Sequence, residues 1–180
     1  ITEGQAKSLG WGDKELWKIK IDKGNGFYLR SGDSEPFASV DADKGFTAEI
    51  KTRILKYSQG YRALDIELYD GAAARYAVSI TDTGVYWYEG FVVGSALLKF
   101  GQFTPVAEGL NNTDAFHTYR LAVRDDKVVQ IYRDGELIGT RRFEYRTPRG
   151  AYIQYGGGRG LEALVEYVSY DISGPYQPAE

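Results

Sequence analysis

The chain has 180 residues, enough for one domain with a sizeable core, and is 43% hydrophobic and 14% aromatic, with 15 Tyr against 8 Phe and 3 Trp. A formal net charge of −3 excludes a strongly basic nucleic-acid binder, and the absence of Cys excludes disulfides and thiolate metal sites. The single His excludes a histidine-rich zinc centre, and no apolar run approaches the roughly 20 residues that a membrane helix needs.

The opening ITEGQAKSLGWG carries no clean period, and Met is absent even at position 1. The expectation is that residues 1–180 are a single module that begins inside a longer gene product or after a removed leader. From Phe46 the chain alternates. Phe46, Ala48, Ile50, Thr52 and Ile54 share one face of GFTAEIKTRI, and Leu64, Ile66 and Leu68 share one face of ALDIELYDG. Tyr76, Val78 and Ile80 follow in the same way, and GVYWYEG sends Tyr86 and Tyr88 to one side and Trp87 to the other.

The stretch from Phe91 to Phe116 loses the alternation and reads as a long loop with a short strand in it. PVAEGL within it is a helix candidate of barely a turn. Alternation returns at Tyr119, Leu121 and Val123, and RDDKVVQIYRDGELIGTRR predicts two tight hairpins in succession. Strand after strand with one polar and one apolar face predicts an all-β, antiparallel sandwich of about a dozen strands, a jelly roll rather than a shorter immunoglobulin-like domain.

The run FHTYRLAVRDDKVVQIYRDGELIG, the early strand GFTAEIKTRI and the late EYVSYDISGPYQP together resemble the concanavalin A-like lectin/glucanase superfamily, in its laminin-G-like branch found in bacterial carbohydrate-active proteins. The resemblance spans most of Gly45 to Pro178. It implies a jelly roll that binds or cleaves carbohydrate, in a secreted, periplasmic or cell-surface setting that a cysteine-free chain tolerates. Fold alone does not choose between binding and cleavage.

Glucanases of that superfamily carry a strand resembling E-hydrophobic-D-hydrophobic-E, with the first Glu as nucleophile and the last as acid/base. The matching positions here are Ala63, Asp65 and Glu67. Asp65 and Glu67 fit, whereas a methyl group at Ala63 cannot attack an anomeric carbon. A retaining glycosidase needs two carboxyls about 5–5.5 Å apart, so catalysis by Asp65 and Glu67 alone is an alternative, against the reading of a solvated polar strand face. The alginate-type lyase pattern fails as well. KTRIL lacks its Glu-Arg half, His117 follows Phe116 rather than a Gln-hydrophobic pair, and AYIQY has no Lys.

A binding face is then expected to draw on Asp65, Glu67, Tyr69, Arg53, Arg120 and Tyr132, with Tyr86, Trp87 and Tyr88 as stacking platforms. Carboxylates and Tyr rings suit a poly- or oligosaccharide, and the arginines point to an acidic one. The resemblance also implies a structural Ca²⁺ held by Asp171, against the alternative that Asp171 only opens the turn DISG. The leading expectation is a non-catalytic accessory module that touches other domains of its own polypeptide. An enzyme using Asp65 and Glu67, and a spacer or protein-interaction domain, stand as alternatives.

Overall fold

A computed structural model describes residues 16–21, 27–29, 44–58, 63–69, 74–89, 102–124, 127–143 and 152–178. Twelve strands run through them: β1 (Trp17–Lys20), β2 (Phe27–Leu29), β3 (Phe46–Lys56), β4 (Leu64–Tyr69), β5 (Ala74–Ile80), β6 (Gly84–Glu89), β7 (Gln102–Glu108), β8 (His117–Arg124), β9 (Val128–Arg133), β10 (Glu136–Arg142), β11 (Tyr152–Gly157) and β12 (Glu162–Asp171). No helix occurs among the described residues. Every pairing is antiparallel.

The strands form two six-stranded sheets, ordered β1-β12-β3-β8-β9-β10 and β2-β11-β4-β5-β6-β7. The two ends of the chain are wound in together. β1 joins β12 in the first sheet while β2 joins β11 in the second, which is the nested winding of a jelly-roll sandwich.

Period-two alternation decides which side of each strand goes inward. Phe46, Ala48, Ile50 and Ile54 of β3 meet Leu64, Ile66 and Leu68 of β4 in one core with Tyr119, Leu121, Val123, Val129 and Ile131. Burying this many aliphatic side chains, at about 1.5–3 kcal/mol each, is the main force holding the sheets face to face. Two polar side chains caught between the sheets, Thr52 and Tyr155, are hydrogen-bonded. Thr52 Oγ1 donates to Leu164 O at 2.7 Å, and the Tyr155 hydroxyl crosses from β11 to donate to Ser169 O on β12. Burial pushes the Tyr155 phenol well above its ordinary range.

PVAEGL, the short helix candidate, is extended instead: Pro105 to Glu108 complete β7. β7 is the last strand of its sheet, the position where a proline leaves no ladder donor missing. Its Val106 lies against Gly139 of β10, where a Cβ would come within 2.4 Å of Val106 Cγ1. This edge of the sandwich is thereby drawn shut, with Trp87 and Phe143 edge-to-face at 5.8 Å beside it.

The strand ends beside the β5–β6 turn are tied by buried Asn112. Its Nδ2 donates to Thr81 O at 2.9 Å, and its main-chain carbonyl accepts from Ile54 N at 2.9 Å, linking the β5–β6 turn to β3. After β12 the chain folds back on β3. Thr47 Oγ1 donates to Gly174 O at 2.9 Å and accepts from Tyr176 N at 2.7 Å.

Candidate functional site

β4 sits in the middle of the second sheet with Leu64, Ile66 and Leu68 inward, so Asp65 and Glu67 project from the outward face. Both are met by the residue directly opposite on a neighbouring strand. Ser79 of β5 pairs with Asp65, and its Oγ donates to Asp65 Oδ1 at 2.5 Å. Gln154 of β11 pairs with Glu67, and its Nε2 donates to Glu67 Oε1 at 2.7 Å.

This row differs from the solvated polar face expected of ALDIELYDG. Asp65, Glu67, Ser79 and Gln154 are each at most 1% exposed. Two carboxylates shut away from water are tolerable only when hydrogen-bonded, and these are. Ala63, at the nucleophile position of the glucanase pattern, is also fully buried, and its N–H points at Ser79 Oγ, 3.3 Å away. Tyr69 closes β4 opposite Tyr152, and its side chain lies outside the described residues.

Among the described residues, the accessible part of the face begins two strands away. Tyr86 of β6 pairs with Ser79, so Tyr86 and Tyr88 share the outward side, and Phe103 and Pro105 of β7 lie opposite them. The Phe103 ring stands 6.2 Å from Tyr86, edge-on, and 5.1 Å from Tyr88, tilted. Tyr88 is buried behind the other two, Tyr86 is half-buried and Phe103 is 37% exposed. Tyr86 and Phe103 therefore make an aromatic shelf at the β6–β7 edge.

Carboxylates border that shelf. The Tyr86 hydroxyl donates to Glu108 Oε1 at 3.4 Å. Burial first, then the charge and hydrogen bond of Glu108 and the charge of Asp82, raise the Tyr86 phenol above its ordinary value. Tyr57, beyond the end of β3, is raised by burial and then by Asp65 and Asp82.

The remaining expected residues are elsewhere. Trp87 alternates inward and belongs to the core. Arg53, Arg120 and Tyr132 lie on β3, β8 and β9, all in the first sheet, so they share no face with Asp65 and Glu67. There they serve a charged surface lattice. Arg120 Nε donates to Glu49 Oε2 at 2.5 Å, the Tyr167 hydroxyl donates to Glu49 Oε1 at 2.6 Å, and Lys51 pairs with Glu166 at 3.1 Å. Arg53 Nε donates to Thr113 O at 2.6 Å, and Tyr132 is buried opposite Arg120 and Leu137.

Asp171 is exposed and accepts from Ser173 N at 2.8 Å and Ser173 Oγ at 2.6 Å, bonds that hold its carboxyl below the ordinary value. It opens the turn after β12. Among the described residues, no group of three or more His, Asp or Glu is arranged to hold a metal ion.

His117, at the start of β8, joins two loops. Its Nδ1 is 2.6 Å from Asp134 Oδ2 in the β9–β10 turn, and its Nε2 is 3.0 Å from Asp114 Oδ1 and 2.8 Å from Arg133 Nη2. Asp134 also accepts from Thr118 N at 2.9 Å, and Arg133 donates to Asn111 O at 2.8 Å. This cluster staples the loop before β8 to the hairpin after it, at the first sheet rather than on the aromatic shelf.

Three residues of the second-sheet face escaped the sequence reading: Ser79, Gln154 and Phe103. Alternation gives the side on which Ser79 and Gln154 point. Only the strand register makes them partners of Asp65 and Glu67. Phe103 lay in the stretch without a readable period.

No protein-family model matches the chain, and no curated protein matches it in sequence. Solved structures do match in shape. A sialidase superposes with a TM-score of 0.60 at 13% identity, over 87% of this chain and 15% of that protein. An alginate lyase of polysaccharide lyase family 7 gives 0.61 at 10% identity, over 89% of this chain and 80% of that one. Sheep galectin-11, solved with glycerol, gives 0.52 at 10% identity, over 83% and 100%. This chain thus corresponds in extent to a small part of the sialidase but to most of the lyase and all of the galectin. With its two antiparallel sheets and nested chain ends, the chain has the concanavalin A-like jelly-roll fold that these structures share.

Proposed function

We propose that this chain is a non-catalytic carbohydrate-binding module, an accessory part of a larger secreted or surface protein that processes glycans. One observation carries the reading. On the outward face of the second sheet the carboxylates are buried and hydrogen-bonded, while the Tyr86 and Phe103 rings at its edge stay accessible. A pyranose offers an apolar C–H face for such rings and hydroxyls for bordering oxygens such as Glu108 Oε1. Catalysis by Asp65 and Glu67 is disfavoured because Ala63 supplies no nucleophile and both carboxylates are closed to solvent. The accessory role draws support from the sialidase, a far longer protein of which the superposed part is 15%.

Affinity electrophoresis of the purified chain through gels containing different polysaccharides tests this. Retardation in at least one gel is expected. Tyr86→Ala and Phe103→Ala should each weaken it about tenfold, the equivalent of roughly 1.4 kcal/mol. No retardation in any gel would overturn the reading. So would depolymerisation of a glycan that Glu67→Gln abolishes, which would make the chain an enzyme.

A further inference from the structure

The two sheets carry opposite charge. The six strands of the first sheet contain ten Lys and Arg against five Asp and Glu. The six strands of the second contain one basic residue, Arg75, against Asp65, Glu67, Glu89 and Glu108. The chain's overall charge of −3 conceals this division.

The division falls on the shelf. The charged groups that raise the Tyr57 and Tyr86 phenols are acidic: Asp65, Asp82 and Glu108. Among the described strands, every basic side chain except Arg75 is across the sandwich, with Arg120 committed to Glu49, Lys51 to Glu166 and Lys18 to Glu162. A ligand's carboxylate or sulfate laid on Tyr86 and Phe103 would face like charges, and the buried carboxylates of β4 are only weakly screened by salt.

We infer that the aromatic shelf of the second sheet takes a non-acidic pyranose, neutral or carrying a free amine, and rejects uronates and sulfated sugars. This rests on the carbohydrate-binding reading above and adds the charge class of the sugar. It reverses the expectation that arginines draw an acidic glycan, because Arg53 and Arg120 belong to the other sheet.

The test is a glycan array holding neutral, amino, uronate and sulfated oligosaccharides, read at low and at high salt with the intact chain and with Tyr86→Ala and Glu108→Lys. Retention of neutral or amino sugars, lost in Tyr86→Ala and at least about tenfold stronger than retention of any acidic sugar at low salt, is the expected result. Glu108→Lys lies on the exposed rim and should raise retention of acidic sugars several-fold, with an unchanged unfolding midpoint confirming that the fold is intact. Tyr86-dependent retention of uronates or sulfated sugars as strong as that of neutral ones would overturn the inference and leave the binding reading standing. Retention of no sugar of any class would overturn both.

Discussion

Gln154 and Glu67 face each other across the β11–β4 pair, and the Gln154 amide donates to Glu67 Oε1 at 2.7 Å with both side chains buried. A carboxylate buried in this way depends on each donor it has. Gln154→Leu should therefore destabilise the fold by about 1.5–3 kcal/mol, the usual worth of a hydrogen bond to a charged group. Glu67→Gln keeps the shape and an acceptor oxygen and should cost less. Urea unfolding of the three proteins with comparable slopes measures both values. A Gln154→Leu variant as stable as the parent would mean the amide contributes nothing to holding the carboxylate.

Ala63 offers a sharper check on the proposed non-catalytic reading. Ala63→Glu restores the full E-hydrophobic-D-hydrophobic-E pattern in sequence, yet the position is completely buried beside Ser79. A new carboxyl there is expected to stay protonated and to cost at least about 2 kcal/mol. It should produce no new reducing ends from any glucan. Turnover by this variant would mean the missing nucleophile is all that separates the strand from a working active site.

The sheets were legible in the sequence wherever one strand face is apolar. Phe46 to Ile54, Leu64 to Leu68 and Tyr119 to Val123 all turn the predicted residues inward, and the two hairpins after Arg124 form as β8–β9 and β9–β10. β7 was only half legible, because Pro105 and the exposed Phe103 break its alternation. The candidate binding face was harder to read for a geometric reason. Alternation tells which side of its own strand a residue occupies, whereas sheet membership depends on non-local pairing. Arg53 and Asp65 both point outward, from opposite sides of the sandwich. Burial of Asp65 and Glu67 was hidden as well, since isolated strand carboxylates ordinarily face water.

Asp114 gives an acid-stability prediction. Its hydrogen bond to His117, and a lesser one to the Ala115 N–H, hold its carboxyl below the ordinary value of 3.8. The folded chain thus binds a proton there less readily than the unfolded chain. Its contribution is complete above about pH 4 and is lost as pH falls through the lowered value. Asp114→Asn should leave the thermal midpoint at pH 7 changed by no more than the lost contacts, and should flatten its decline between about pH 4 and 2. His117→Gln should flatten the same limb, because it removes the partner responsible. A decline as steep as the parent's in both variants would show that acid lability arises elsewhere.

Gly45 holds the entry to β3 in a backbone conformation that other residues rarely adopt. Its φ is 73°, and a Cβ built there would lie 2.2 Å from Val123 O and 3.3 Å from Pro175 Cδ. The left-handed backbone alone costs a non-glycine residue about 1–2 kcal/mol. The clash cannot be relieved by turning a side chain, because Val123 O is main chain inside β8, which pairs with β3. Gly45→Ala should therefore cost more than the backbone figure, at least about 3 kcal/mol in all. The strain also has a direction: Pro175 belongs to the segment that Thr47 fastens through Gly174 and Tyr176. Displacing β3 at Gly45 should loosen that segment first. Amide exchange at Tyr176, whose N–H is bonded to Thr47 Oγ1, is expected to accelerate in Gly45→Ala beyond the acceleration at Ile54, toward the far end of β3 from Gly45. Equal acceleration at the two amides would mean that the substitution only lowers global stability and that the C-terminal segment is not anchored through the start of β3.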